Sequence, residues 1–538
     1  MIPNIGYTNK TADDFYKIQR RRQITVILWA IFLSAAFTGV LIRLNGNVIV
    51  PVGVMLGLIL VGLIWQFPRT LYFVMLAGSC LVETYPLKFK DSVTDAIPLF
   101  WDVNTVVQTY LKLTNFHGVA FSFFEILLIL AGVSWLIRGV FNHTITARGG
   151  TLLIPIVLYV CFVFVGLING LATGGKFNIA LFEVRAQVYF LLAYLMAVNM
   201  SGEEHRRIST LFWISAIAIG LKGILASFRF VFTLKGVTIP EIGIGAHEES
   251  FFFNCFVFEL IVLKLADVEP KLRRLMIIML PFVVLANLAN ERRAATAAMV
   301  LAMLIMFVLA AVAFPKRRKA IAITTIIIAA VAAVYLPLYW NKTGTLAQPA
   351  RAIKSQFSPD ERDQSSNEYR DAENANLMET LKTSPIIGYG YGKAILLDTP
   401  MVDLTDIDPL IHYMTHNQIL WVWMRVGTIG FFCFWVMITS LIMQGCQILK
   451  NPNATPEAKA AALAGILIIV MQMVFGLLDL QISNVRNMLF CGLWAGAIGM
   501  FRLQYSEAAD LEAEVLSSSG RISNAPRWKL PAPEQQQS

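Results

Sequence analysis

Long apolar segments recur along most of the chain, separated by short polar connections. Each has roughly the 17 to 25 residues that a helix needs to cross the apolar core of a bilayer. In lipid such segments must be helical, because each backbone polar group needs an internal partner. The candidates lie at about residues 22–42, 48–66, 69–87, 119–138, 151–171, 186–200, 209–228, 250–266, 275–290, 294–314, 320–339, 418–446, 460–480 and 485–503. The pattern predicts an all-α, polytopic transmembrane protein with about 12 to 14 helices.

A polar segment, residues 340–417, interrupts this series before the last three helices. Its stretch 367–383 has a helical composition, so we expect a large, partly helical loop. The tail is rich in Ser, Pro, Gln and Glu, which is typical of a disordered extension. The predicted parts are an N-terminal tail (1–21), helices with short loops (22–339), the large loop (340–417), C-terminal helices (418–503) and a disordered tail (504–538).

The positions of the basic residues predict an orientation. Lys and Arg concentrate in the cytoplasmic connections of membrane proteins. The N-terminal tail is basic, and so is every second connection after it, the last holding Lys450 and Lys459. This alternation places both termini in the cytoplasm and the large loop on the opposite face of the membrane.

Composition narrows the function classes. The chain is 57% hydrophobic and 15% charged, with a net charge of +9. The positive charge does not indicate a nucleic-acid partner, because the basic residues lie between apolar segments, where they orient membrane helices. All six cysteines fall in apolar segments without metal-ligand spacing, so neither a disulfide framework nor a metal site is expected.

Several charged residues depart from the orientation pattern. Arg185, Arg292 and Arg293 are expected at the outer ends of apolar helices, where they either snorkel to headgroups or form an anion site. Lys222 lies inside a predicted helix, where it either pairs with a carboxylate such as Glu259 or lines the same cavity as the arginines.

The most specific pattern begins at the end of the large loop. His416-Asn417 is followed by nine residues and then by Gly427-Thr428-Ile429-Gly430. The positive end of the following helix should keep the imidazole neutral and able to accept a proton. The two glycines should allow a neighbouring helix to approach closely.

Two acidic pairs carry weaker signals. Glu248 and Glu249 either hold sugar hydroxyls or cap a helix. Asp406-Ile407-Asp408 has the form of a nucleotide-sugar DxD sequence, but in the predicted topology it lies outside the cytoplasm, where we interpret it as loop solvation.

The HNx9GxxG pattern resembles the H[NSQ]x9GxxG motif of the O-antigen ligases and related glycan polymerases. The stretches Tyr369–Asn374 and Ser384–Gly390 also resemble that family. The chain departs from the family in one respect. Members of the family have two outer arginines, the second of which commonly follows a serine, whereas here Glu291 precedes Arg292 and Arg293. This leaves open which arginine is equivalent, and we favour Arg293.

The resemblance implies a metal-independent glycosyltransferase without a cofactor, in the bacterial inner membrane. Its donor would be a glycan on undecaprenyl diphosphate, and its acceptor a hydroxyl of lipid A–core for a ligase or of a second glycan for a polymerase. His416 would act as the base, with Arg185 and Arg293 stabilising the leaving group. The substrate-contacting residues would be Arg292, Arg370, Asn417, Lys222, Glu248 and Glu249. A transporter or flippase of lipid-linked glycans is the alternative, and it predicts charged residues near the membrane midplane.

Overall fold

In a computed structural model the described part of the chain is helical, with no β-strand. The structure describes residues 10–43, 49–67, 69–84, 94, 97–111, 121–142, 149–200, 205–237, 244–405 and 410–523. Within these ranges, nine helices are long and apolar enough to cross a membrane, and three shorter apolar helices accompany them. This confirms a polytopic helical membrane protein. The predicted Asp406-Ile407-Asp408 sequence lies outside the described residues.

The chain forms two compact units. The N-terminal unit contains Met1–Val74, Thr84–Pro86 and Asp95–Thr146. The C-terminal unit contains Met75–Glu83, Leu87–Thr94 and Ala147–Ser538, and it holds every residue proposed for function.

In the N-terminal unit, helix α2 packs against α1 and α5. Ser134 on α5 donates a hydrogen bond of 2.6 Å to the carbonyl of Trp65, which joins the ends of α2 and α5. The first five helices of the chain are α1 (Lys10–Arg43), α2 (Ile49–Gln66), α3 (Arg69–Leu81, which continues into the C-terminal unit), α4 (Val103–Leu111) and α5 (Phe123–Asn142).

In the C-terminal unit, helix α16 (Pro456–Gly476) is the most deeply buried candidate span, and α8, α9, α11, α15 and α17 pack against it. Small residues allow this close packing: a Cβ at Gly496 on α17 would lie 2.3 Å from the Cβ of Ala197 on α7. Its helices are α6 (Leu153–Ala172), α7 (Phe177–Met200), α8 (His205–Phe228), α9 (Glu249–Ala266), α10 (Pro270–Ala289), α11 (Arg293–Ala313), α12 (Arg318–Tyr339), α13 (Gln348–Lys354), α14 (Glu361–Lys382), α15 (Gln418–Lys450), α16 (Pro456–Gly476) and α17 (Val485–Ser523).

Each of the fourteen predicted segments overlaps a helix, but three boundaries were wrong. Helix α1 begins at Lys10 rather than at 22, because residues 10–21 are rich in helix-forming Lys, Ala, Gln and Arg and continue the helix toward the N-terminus. Helix α7 begins at Phe177 rather than at 186, because Arg185 and Glu183 are buried inside it and do not end it. Helix α17 continues to Ser523 through the region predicted to be disordered from 504. Residues 506–516 are rich in Glu, Ala and Leu, which favour a helix over coil.

The large loop is partly helical, as predicted. It contains α13 and the polar helix α14, which packs against α15. Asp360 caps α14 by accepting a hydrogen bond of 2.8 Å from the backbone N–H of Asp363. This contact fixes where α14 begins, and therefore which of its residues face α15.

Candidate functional site

His416 lies immediately before α15 and is held there by α14. Asn417 caps α15 by accepting a hydrogen bond of 3.1 Å from Leu420 N–H. The same side chain donates to Asn374 Oδ1 on α14, also at 3.1 Å. Asn417 therefore has a structural role that explains its place in the motif, because it joins the start of α15 to α14.

Glu373 on α14 binds His416 through both the backbone and the ring. It accepts a hydrogen bond of 2.9 Å from the His416 backbone N–H, and its Oε1 lies 3.2 Å from the ring Nδ1. The carboxylate is buried, at 1% exposure. In the tautomer that carries hydrogen on Nδ1, the imidazole donates to Glu373 and keeps Nε2 as its proton acceptor.

The helix dipole does not determine the pKa of His416, which lies above its usual value rather than below it. Burial of the ring lowers the pKa of His416, but the hydrogen bond and the negative charge of Glu373 outweigh it and raise this pKa above the usual value. A full negative charge at hydrogen-bond distance exceeds the partial charge of a helix end. His416 is therefore a stronger base than the sequence indicated.

One face of α14 turns several polar residues toward the same cavity as His416. Asp363, Ser366 and Arg370 line the cavity, and Glu373 follows one turn later. Their spacing of three, four and three residues places them in one row along the helix. This row and the start of α11 form two sides of the cavity.

The cavity has a volume of about 160 Å³ and a surplus of positive charge. Its charged residues comprise five arginines and three carboxylates, together with two histidines. They are Arg292, Arg293, Arg351, Arg362, Arg370, Glu291, Asp363, Asp479, His247 and His416. The arrangement suits a ligand with more than one negative charge, because guanidinium groups bind phosphate oxygens through paired donors.

The described residues do not neutralise all of this positive charge. Arg293 forms an ion pair with Asp363 at 3.2 Å, and Arg351 lies 3.9 Å from Asp360. Arg370 has no ion-pair partner among the described residues, and its Nε is buried without a hydrogen-bond acceptor. An anionic ligand in the cavity would provide one.

Asp479, between α16 and α17, is a site residue that the sequence did not reveal. Its Oδ1 lies 3.3 Å from His247 Nδ1. Burial would raise the pKa of Asp479, but the charges and hydrogen bonding of His247, Arg292 and His416 hold this pKa below its usual range. Asp479 is therefore negatively charged, and it lines the cavity together with His247 and His416.

Two predicted site residues, Arg185 and Lys222, occupy other places. Arg185 is buried at 9% exposure within α7 rather than at its outer end, and it does not line this cavity. Lys222 pairs with Glu83 and Glu249, not with Glu259, and lines a second cavity. Lys222 has these two carboxylates within reach, whereas Glu259 accepts a hydrogen bond from Ser215.

Glu248 and Glu249 bind Arg486 on α17 rather than capping a helix. Arg486 Nη1 lies 2.6 Å from Glu249 Oε1 and 3.3 Å from Glu248 Oε1. Glu248 stands at the N-cap position of α9 without a side-chain capping hydrogen bond. The capping interpretation therefore fails. The guanidinium of Arg486 is fully buried, and a buried charge needs opposite charge beside it. This explains why both carboxylates lie next to Arg486.

The glycines of the motif have two different roles. Gly427 has φ +69° and interrupts α15, and a Cβ there would lie 2.2 Å from the carbonyl oxygen of Ile386. It thus allows a loop, not a helix, to approach. Gly430 fits the prediction, because a Cβ would lie 2.9 Å from Phe162 on α6.

Arg425, within the nine-residue spacer, holds the same loop in place. It is fully buried, pairs with Glu183 on α7 at 2.6 Å, and donates to the carbonyls of Gly390, Lys393 and Tyr413. The interruption of α15 is therefore built into the fold around the Gly388–Gly392 turn.

Some of the site residues that the sequence analysis missed have a local sequence signal, and others have none. Glu373 falls three residues after Arg370 on an expected helix, so helical spacing indicated a shared face. Asp479, His247 and Arg351 come from separate parts of the chain, and only the packing of α9, α11 and α16 brings them together. No local pattern marks them.

The O-antigen ligase family model matches residues 257–435, roughly a third of the chain. The matched region begins in α9 and ends in α15, so it contains Arg292, Arg293, α14 and the His416 motif. The resemblance to this family is thus confirmed for that region. No curated protein matches the chain.

Proposed function

Because the O-antigen ligase match covers the region that carries His416 and the arginine-lined cavity, we propose that this protein transfers a glycan from a polyprenyl diphosphate to an acceptor hydroxyl. The observation that carries the proposal is the contact between the buried carboxylate of Glu373 and the ring of His416, beside a cavity with surplus positive charge. A base and an anion site side by side are what glycosyl transfer from a diphosphate requires.

In the proposed reaction, His416 Nε2 removes the proton from the acceptor hydroxyl as its oxygen attacks the anomeric carbon. The bond from that carbon to the diphosphate oxygen breaks, and the diphosphate leaves with the electron pair. Direct displacement inverts the anomeric centre. Glu373 orients the ring and stabilises its positive charge once the proton has arrived.

The growing charge of the diphosphate is stabilised by Arg292, Arg293 and Arg370. Fixed positive groups lower a barrier most effectively when charge develops next to them in a site of restricted water access. Since arginines can supply this stabilisation, the proposed reaction needs no metal ion. Arg185 does not line the cavity, so we assign it no direct contact with the diphosphate.

The proposed donor is undecaprenyl diphosphate-linked glycan at the periplasmic face of the bacterial inner membrane. The acceptor is lipid A–core in a ligase or a second lipid-linked glycan in a polymerase. Incubating the purified protein with the donor and each acceptor in turn distinguishes a ligase from a polymerase. Only the acceptor that receives the glycan increases in mass.

A flippase is the second candidate, and buried ion pairs between helices favour it. Arg425–Glu183 and Arg486–Glu249 are enclosed within the helix bundle, and α15 is interrupted, as transporter helices often are. A flippase would move a fluorescent polyprenyl diphosphate across proteoliposomes without any acceptor. A transferase would consume it only when an acceptor is present.

The proposed orientation predicts which cysteines an impermeant reagent reaches. Asp403 in the large loop and Lys316 after α11 are both exposed and lie on opposite sides of the proposed membrane. A membrane-impermeant maleimide should label Asp403→Cys in intact spheroplasts and Lys316→Cys only after permeabilisation. The reverse result would place His416 on the cytoplasmic side and exclude a periplasmic reaction.

The Glu373–His416 pair predicts a shift of the pH profile. The imidazole must be deprotonated to act, so activity should rise as pH passes through its pKa. Glu373→Gln removes the charge that raises the pKa of His416, and the rise should therefore move to lower pH. The rate on the high-pH plateau should fall by about 10- to 100-fold, because the ring loses its orienting partner.

Glu379→Gln is the matched control, since Glu379 lies on the same helix but its side chain is 42% exposed and pairs with Lys382. It should keep the wild-type profile. A Glu373→Gln protein with an unshifted profile would show that the ionisation observed does not belong to His416.

A further inference from the structure

A second cavity lies beside Lys222, at the ends of α8 and α10 and the start of α9. Its volume is about 380 Å³, more than twice that of the arginine-lined cavity. Most of its lining is apolar, with residues such as Leu225, Phe228 and Phe253, and the rest is polar or charged. An enclosure of this kind suits a ligand with both an apolar and a polar part.

Charged residues of this lining form an ion-pair network. Lys222 Nζ binds Glu83, lies 2.8 Å from Thr94 Oγ1 and 3.7 Å from Glu249 Oε1. Glu249 Oε1 also binds Arg486 at 2.6 Å. Both carboxylates are thus held in place from one side, through one oxygen each.

The other oxygen of each carboxylate lacks a donor. Glu83 Oε2 and Glu249 Oε2 are buried and accept no hydrogen bond among the described residues. The two residues are 4% and 2% exposed. Leaving a buried acceptor unsatisfied costs roughly 1 to 3 kcal/mol, and more when it is charged. A ligand that donates two hydrogen bonds would relieve this cost.

The charge of the cavity favours a neutral donor over a cation. Glu83 and Glu249 are balanced among the lining residues by Lys222 and Arg229. A cation would therefore meet no net attraction and would approach two positive groups. Hydroxyl groups donate hydrogen bonds without adding charge.

This second cavity is separated from the first by one short turn. Asn290 donates to Ala246 O at 3.2 Å and to Ser250 Oγ at 2.9 Å, and it accepts from Gly245 N–H. Asn290 lines the second cavity, while its successors Glu291 and Arg292 line the first. A ligand in the second cavity would lie next to the diphosphate site.

We propose that the cavity beside Lys222 binds a neutral, hydroxyl-rich group attached to an apolar chain, with Glu83 and Glu249 accepting its hydroxyl hydrogens. The identification of this ligand as the acceptor glycan rests on the proposed function. The site gives the protein a place to hold the acceptor while the donor diphosphate occupies the arginine-lined cavity.

The test measures binding without turnover. Wild-type protein in phosphatidylcholine nanodiscs, whose lipids carry no hydroxyl headgroup, is titrated with radiolabelled octyl glycosides of glucose, galactose, mannose and N-acetylglucosamine. At least one should bind saturably, and octyltrimethylammonium should not displace it. Binding should persist in His416→Ala, so that loss of the site and loss of catalysis are measured separately.

Two leucines one turn apart on α8 provide a matched pair. Leu225 and Leu221 are each 43% exposed, but only Leu225 lines the cavity. Leu225→Trp should fill the space and weaken glycoside binding at least tenfold, and it should raise the acceptor KM without changing the donor KM. Leu221→Trp should match the wild type in both measurements.

Three results would overturn the proposal. They are the absence of saturable binding for all four glycosides, displacement by the cationic amphiphile, and equal effects of Leu225→Trp and Leu221→Trp. Glu83→Gln gives an independent check, and tenfold weaker binding at an unchanged melting temperature supports the assignment of its carboxylate.

Discussion

His416→Ala is expected to reduce glycan transfer by about 10² to 10⁴, the contribution typical of a general base. The substitution removes the proton acceptor but leaves Asn417 to cap α15 and Glu373 to accept from the backbone of residue 416. The folded protein should therefore reach the membrane in normal amounts. Transfer by the wild-type protein should be unaffected by chelators.

His416→Gln separates proton transfer from positioning. A glutamine can hydrogen-bond Glu373 but cannot carry the proton away, so it should be nearly as damaged as alanine. His412→Ala is the control: it lies four residues earlier, and its backbone carbonyl keeps its bond to Ile395 N–H after substitution. Wild-type rates in His416→Gln would make residue 416 a positioning residue and require another base.

Arg293→Ala is expected to reduce transfer by roughly 10²- to 10³-fold, the cost of losing one group that stabilises transition-state charge. Arg292→Ala should have an effect of the same order, since both side chains line the cavity. Lysine should restore only part of the rate, because a point charge cannot reproduce the planar donor fork. Rates are compared at saturating donor, so that weaker binding alone does not account for the loss.

Arg318→Ala is the matched control, because Arg318 begins α12 as Arg293 begins α11 but lies outside the cavity. Arg185→Ala should cost less activity per folded molecule than Arg293→Ala. If Arg185→Ala proved the more damaging at an equal folded amount, the anion site would have to include α7.

The helices were predictable because lipid imposes a simple rule on composition. Segments such as 294–314 and 320–339 contain no charged residue, so their existence followed from composition and length. The start of α7 was not predictable, because Glu183 and Arg185 look like residues that end a span. Their burial depends on Arg425 and other groups that come from distant parts of the chain.

The site was predictable only where its residues share a local pattern. His416, Arg292, Arg293 and Arg370 were recognised from a motif and from charge placement, and the structure brings these four together. The environment of His416 was not recognised, because its pKa depends on Glu373, which lies 43 residues away in the sequence. The role of Gly427 was missed for the same reason, since the loop that approaches it comes from residues 386–388.

The most direct test of the account is a single-turnover assay of purified protein in proteoliposomes with a labelled polyprenyl diphosphate-linked glycan and an acceptor. The measured quantity is the free polyprenyl diphosphate released for each acceptor glycosylated. The account predicts equal amounts of the two products from the wild type. Within the time that the wild type needs for one turnover, it predicts neither product above background from His416→Ala. Donor translocation without release, or equal release from His416→Ala, would contradict it.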